Sequence, residues 1–318
     1  MKKLLPALIS IAVLFIASGL MPLPLSASAN SINTDGWYVY LPIIQNAIEP
    51  TPAAGEIIVN HNTTDISAIP DEWITAARAY VIHFAHTSHG SQILTGLQWL
   101  EAYDSKYAIN ITYSTQVAPS NQSALAFYDG NSYGGNNYIT PEMYWETADG
   151  QNHTATTLQT GYFDLSLWTW CGQMSSYSST QVNQYLNYLD QVEDGHPGLR
   201  TVYFTGHTDG TTPASGSTLW QNNNLVRSYT AANDKILFDF ADIESYDPAG
   251  TLHPTVNGSD SCDWCESWCT AHPNTLSCQI RQSGECAHSP DGLQCALKAQ
   301  AFWWMMARIA GWDGTPLQ

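Results

Sequence analysis

The run Val81-Ile82-His83-Phe84-Ala85-His86-Thr87-Ser88-His89-Gly90 is apolar until it stops at a serine between two histidines, followed by a glycine. A short run of β-formers closed by small residues predicts a strand buried on both faces, with Ser88 at its end. From Ser91 to Tyr103, the residues Ile93, Leu94, Leu97, Leu100 and Tyr103 recur at helical spacing, with Ser91 as N-cap. Strand, tight turn and helix would set the hydroxyl beside unpaired N–H groups and the positive end of a helix dipole. Gly90 would let the backbone approach closely. A serine that only turns the chain needs nothing further, whereas a nucleophile needs a base, an acid to orient it and donors for an oxyanion. His288, in Glu285-Cys286-Ala287-His288 before the last helical pattern, is the best base, and Glu285 three residues earlier is its acid.

Two other chemistries compete. His86, His89, His207 and Asp209 could form a metal site at the same edge, whereas His83 and His86 alternate across a strand and chelate poorly. The acidic run Asp239, Asp242, Glu244, Asp247, Asp260 and Asp263 is oxygen-rich enough for calcium, but it lacks EF-hand spacing and reads more simply as a solvated loop. The serine chemistry requires no cofactor; calcium or zinc is what these side chains would take if they took one.

The elements that must position these residues alternate in type. Strands are expected at about 56–60, 79–87, 107–113, 163–171, 200–205 and 235–240, and helices at 71–78, 91–103, 180–192, 217–232 and 293–310, the last closed by Gly311. Alternation of this kind predicts a parallel sheet covered on both faces, with ligands at the carboxyl ends of its strands. Ser88, Gly172 and Gly206-His207-Thr208-Asp209-Gly210 would then meet in one crevice. Residues 115–160, rich in Ser, Asn, Gly and Tyr, show little periodicity and read as a long polar insert. Tyr128, Tyr133, Tyr138 and Trp145 within it are placed to stack on sugar rings. Trp168, Trp170, Trp303 and Trp304, in apolar segments, read as core.

This order of motifs resembles the SGNH, or GDSL-like, hydrolases over roughly residues 78–312. The resemblance implies an α/β, flavodoxin-like three-layer sandwich with a central parallel sheet. It also implies Ser88 as nucleophile, Gly172 as an oxyanion donor, and Glu285 with His288 as acid and base. Thr87-Ser88-His89-Gly90 stands where Gly-Asp-Ser is expected, and Gly206-His207-Thr208-Asp209 where Gly-x-Asn-Asp is expected. The missing Asn would leave Thr208 or His207 as the remaining oxyanion donor. The activity implied is that of an esterase deacylating a glycan or similar polar ester, on a polysaccharide or acylated small molecule. The alternatives are a non-catalytic glycan-binding or surface protein on the same fold, and a His/Asp metal-dependent hydrolase.

Residues 1–29 read as a signal peptide: Lys2 and Lys3, an apolar run from Leu4 to Leu20, and Ala27-Ser28-Ala29. A domain at 56–318 would follow an extension at 30–55, whose Tyr38–Ile44 phrase resembles short apolar segments near the ends of secreted bacterial proteins. The mature chain would be secreted or at the cell surface of a bacterium, with no membrane association of its own. Losing two lysines with the leader takes the formal charge from −18 to −20, which repels nucleic acid and anionic membranes. Of seven Cys, six crowd into 262–295 while Cys171 stands alone in an apolar run. In an exported chain, six clustered Cys predict three bridges of undetermined pairing, with a zinc site on Cys262, Cys265 and Cys269 as the competing reading. Cys171 is expected to stay unbridged at the crevice.

Overall fold

The chain divides into two units, Met1–Glu49 and Pro50–Gln318. The computed structural model describes residues 29–34, 37–42, 56–115, 123–212, 215–253 and 261–315. In the first unit β1 (Ala29–Thr34) and β2 (Trp37–Pro42) pair antiparallel, Ala29 opposite Pro42. The expected leader, apart from Ala29, and Asp260 of the acidic run lie outside the described residues.

In the second unit seven parallel strands form one sheet: β3 (Ile57–Val59), β4 (Val81–His86), β5 (Ile109–Thr112), β6 (Leu125–Asp129), β7 (Leu165–Thr169), β8 (Arg200–Phe204) and β9 (Ile236–Phe238). Their spatial order is β3-β9-β8-β7-β4-β6-β5. With β3 and β5 set aside as edge strands and β4 counted first, the rest run 2-1-3-4-5, the flavodoxin-like order. Every residue of β4, β6 and β7 is buried, as strands covered on both faces require. After β6 the chain crosses to the opposite side of β4 and enters β7, so the switch point, and with it the crevice, lies at the carboxyl ends of β4 and β7.

The helices are α1 (Asp71–Ala77), α2 (Ser91–Tyr103), α3 (Ala148–Leu158), α4 (Ser179–Gly195), α5 (Thr218–Ala232), α6 (Phe240–Ser245), α7 (Cys265–Ala271), α8 (Leu276–Ile280) and α9 (Leu293–Ile309); α1, α2, α4, α5 and α9 fall where the spacing predicts them, and the other four are additional. Helix α9 is apolar nearly all round and almost wholly buried, which marks a core helix; it lies against α1, α2 and β3. Helices α4 and α5 pack together against β8. Right-handed crossovers running in opposite directions from β4 place these two groups on opposite faces, giving three layers.

The segment 115–160 is more ordered than its composition suggests. It contributes β6, an inner strand beside β4, together with α3. Helix α3 has no apolar stripe because its inward face is bound by hydroxyls and amides: Asn131 Nδ2 donates to Thr154 Oγ1 at 2.9 Å, and Ser132 and Thr157 hydroxyls meet at 2.6 Å. Hydrogen-bonded burial of this sort leaves no hydrophobic period to read.

The clustered cysteines pair as neighbours: Cys262 with Cys265, Cys269 with Cys278, Cys286 with Cys295. That pairing consumes the ligands of the zinc alternative. Cys171 is free. Among the described residues no helix is long and apolar enough to cross a membrane.

Contact between α2 and α9 depends on Gly96. A Cβ there would lie 2.0 Å from the Cys295 carbonyl oxygen and 2.9 Å from Ala299 Cβ, and the backbone atom cannot swing away. Gly96→Ala should therefore destabilise the protein by about 1–3 kcal/mol, the usual cost of overpacking. Urea unfolding should show a lower midpoint with an unchanged slope.

Candidate functional site

Helical backbone begins one turn earlier than expected. A 3-10 turn, Ser88–Gly90, runs directly into α2, so Ser88 lies in the first turn instead of before it. Ser91 is not the cap: its hydroxyl donates to the Ser88 carbonyl at 2.7 Å. Gly90 permits the turn to sit hard against β4 and β7, since a Cβ would come within 2.0 Å of Thr169 Oγ1 and 2.4 Å of His86 Cβ. Thr87 Oγ1 ties the same point to β7 by donating to the Thr169 carbonyl at 3.2 Å.

At the end of β7, Cys171 and Gly172 lead into another 3-10 turn, Gly172–Ser175, while His207 follows β8 and His288 comes from the loop before α9. The four segments meet. His288 Nε2 lies 2.9 Å from Ser88 Oγ, across 200 residues of sequence. Cys171 Sγ lies 3.2 Å from the same hydroxyl and 3.1 Å from His89 Nδ1. The three imidazoles stack with His89 in the middle: His207 at 3.7 Å and 8° on one side, His288 at 4.2 Å and 4° on the other.

His288 holds φ +63°, a left-handed conformation that costs a non-glycine residue energy and persists only when its surroundings impose it. They do so here. Cys286 is bridged to Cys295 at the start of α9, Cys286 and Ser289 form a β-bridge across the loop, and Gln92 Nε2 of α2 donates to the Ala287 carbonyl. The tight loop sends Glu285 out to solvent, where among the described residues it makes no hydrogen bond or ion pair with His288. The expected acid is thus not brought to the base. The His288 ring stacks on His89.

A buried polar network lies beneath these side chains. Lys298, fully buried within α9, reaches Glu244 Oε1 at 2.7 Å, donates to Gln92 Oε1, and sits 3.8 Å over the Phe240 ring. Glu244 Oε2 in turn accepts from the Thr208 amide at 2.8 Å. Burial pushes the Glu244 carboxyl up, but the charge of Lys298, and then of His207 and His89, outweighs it and holds the group below the ordinary carboxylate range. The Thr208 amide is therefore spent on Glu244, and Thr208 and His207 are both buried. His207 faces Cys171, and Gly172 lies beside His207, a Cβ there falling 4.0 Å from Nε2. Gly172 alone of the expected donors is left at the open side of the crevice.

Other expected ligands disperse. His86 turns away, with Nε2 3.0 Å from Asp129 and Nδ1 donating to the Thr87 carbonyl, and Asp209 bonds Ser175. The metal set His86, His89, His207 and Asp209 is accordingly not assembled; the group that does assemble is His89, Cys171 and His207, whose ligand atoms lie within 4.8 Å of one another. Four carboxylates of the acidic run do not converge on one point: Asp239 faces Arg227, Asp242 faces His61, Glu244 faces Lys298 and Asp247 faces His253. His83 is a packed strand residue, bonded to Ser166 and the Gly130 carbonyl and pushed down to about 4 by burial.

The aromatic residues of 115–160 divide. Trp145 is fully buried against Trp168 and Trp170, and Tyr128 is buried with its hydroxyl accepting from the Ser132 amide, so neither can stack on a ligand. Tyr133 is partly buried on His153. Tyr138 is 46 % exposed and bridges to His86 at the end of β4, which puts it on the same edge as Ser88. No protein-family model matches the chain, and neither a curated protein nor a solved structure matches it.

The network yields a test. Lys298→Met strands a buried carboxylate and should cost about 3–5 kcal/mol, while adding Glu244→Gln should recover part of that loss. Because Glu244 titrates lower folded than unfolded, its contribution is complete above the unfolded carboxylate value of about 4.3 and is lost as pH falls through the lower folded value. Denaturant unfolding between neutral and acid pH should show this part of the acid sensitivity in wild type and not in Glu244→Gln.

Proposed function

We propose that the chain is an exported hydrolase that transfers the acyl group of a polar ester, a glycan ester or an acylated small molecule, through Ser88. The observation that carries this reading is the 2.9 Å contact between Ser88 Oγ and His288 Nε2 at the carboxyl edge of a parallel sheet. His288 would take the proton of Ser88 as the oxygen attacks the ester carbon, return it to the leaving alcohol, and then activate the water that frees the acyl group. Gly172, at the start of its turn, is the backbone donor left for the oxyanion. Tyr138, exposed beside the end of β4, offers a flat face to a sugar ring.

The layout resembles that of the SGNH hydrolases, with Ser88 after β4, Gly172 after β7 and His288 before α9. The chain departs from the pattern in lacking the Asn and in facing Glu285 outward. Export is supported by three disulfides, which persist in oxidising compartments, and by the leader-like N-terminus.

Short acyl esters and acetylated sugars are the assay. Ser88→Ala should lower turnover about 10³-fold or more, and His288→Gln by about 10²–10⁴-fold, the range for losing a general base. Activity should survive exhaustive chelation. No ester turnover by wild type, with glycan binding intact, would replace this reading with a non-catalytic glycan-binding protein.

A further inference from the structure

We propose that Cys171 is a covalent-modification site, a partly exposed sulfur held by three hydrogen-bonding neighbours, which hydroperoxides and other soft electrophiles capture beside Ser88. The serine reading makes no use of this residue, yet the crevice is arranged around it. Ser88 Oγ, His89 Nδ1 and the His207 ring all converge on Sγ.

The tautomer of His207 shows what the sulfur is prepared for. The Asp209 amide donates to His207 Nδ1 at 3.1 Å, so the neutral ring carries its proton on Nε2. A Cβ on Gly172, the neighbour of Cys171, would approach that same Nε2, which identifies it as the nitrogen on the sulfur's side. Nε2 is therefore a donor. A metal ion between His89, Cys171 and His207 would need the Nε2 lone pair, and hence a proton on Nδ1, where the Asp209 N–H already points. The parallel stack of His89 on His207 adds to this, because lone pairs of parallel rings run side by side and do not converge on one ion. A His207 N–H turned toward the sulfur suits an anion. Partial burial pushes the thiol up, but the bonds from His207, His89 and Ser88 and the charge of His89 outweigh it and hold it at about 5.

The chemistry balances without a further group. The thiolate attacks the distal oxygen of a hydroperoxide; an S–O bond forms, the O–O bond breaks, sulfur gives up two electrons, and the departing alkoxide or hydroxide takes a proton from solvent. The other six cysteines are bridged, so no internal thiol is on hand to resolve the sulfenic acid. The reactivity stands on the cluster alone, whereas its consequence rests on the serine reading: an oxygen added at Sγ intrudes on a hydroxyl 3.2 Å away and silences it.

The test uses the intact protein, iodoacetamide, and mass spectrometry of the peptide that contains Cys171. A low-pKa thiolate gains in ionised fraction but loses in intrinsic nucleophilicity, which together predict alkylation about ten-fold faster than free cysteine near pH 6 and nearly constant up to about pH 9. His89→Phe keeps a flat ring in the stack and removes a donor, so the onset of alkylation should move toward the ordinary thiol range. Hydrogen peroxide should add one oxygen at Cys171 as ester turnover falls. A wild-type rate that climbs through pH 8–9 like free cysteine would overturn the proposal, as would a rate that rises on chelation and falls with added zinc. The two readings fail separately. Flat alkylation with hydrolysis untouched in Ser88→Ala sinks the serine reading alone, and ordinary alkylation with hydrolysis lost in Ser88→Ala sinks this one alone.

Discussion

A fully buried ammonium group must be answered by charge and by hydrogen bonds, and the answer to Lys298 organises the site. Its partners include Glu244 and the ring of Phe240, both from α6, and Gln92 from α2. The carboxylate and the amide then each reach a segment next to a histidine of the crevice. Glu244 holds the Thr208 amide, next to His207, and Gln92 holds the Ala287 carbonyl, next to His288. The loops that present the imidazoles are thereby tied to one core helix. Replacing such a pair by apolar side chains is often neutral for stability, so its worth here is in where it puts the loops.

The chain as a whole carries a large excess of negative charge, but its crevice is lined by groups that donate protons or carry positive charge. Lys298 lies below, His207, His89 and His288 are stacked across the middle, and the Glu244 carboxylate is drawn into the network. Negative charge, whether thiolate or oxyanion, is favoured at this spot and disfavoured over most of the surface. Preorganised donors of this kind do not have to reorient when charge appears, which is why they act strongly in a site shielded from water.

Much of this was legible in the sequence. Strand-end and helix-start signals placed Ser88, Gly172, His207 and His288 on one edge, because a parallel sheet covered on both faces offers chemistry no other outlet. Glu285 is not brought to His288, since a spacing of three assumes a helical turn and the loop at His288 has left-handed backbone instead. Tyr128 and Trp145 are buried instead of facing a ligand because polar neighbours in the sequence disguise β6 and the aromatic core beside it. Lys298 carries a legible signal: a lysine midway along a helix that is apolar nearly all round cannot reach solvent and must have a buried partner. The arrangement of His89 and His207 about Cys171 gave none, because a contact among three strand ends depends on the twist and register of the sheet.

The disulfides close loops between nearest neighbours in strict order, at separations of 3, 9 and 9 residues. Loops that short restrict the unfolded chain by only about 2–3 kcal/mol each in the chain-entropy picture. Their order matters in another way. Within the cluster, an emerging cysteine meets its partner before any later cysteine of the cluster has appeared, so these bridges can form vectorially. Segment 261–295 can then be knotted into shape as it is delivered, and α9 arrives last, carrying Cys295 to lock the loop of His288 and Lys298 to draw the remaining loops inward.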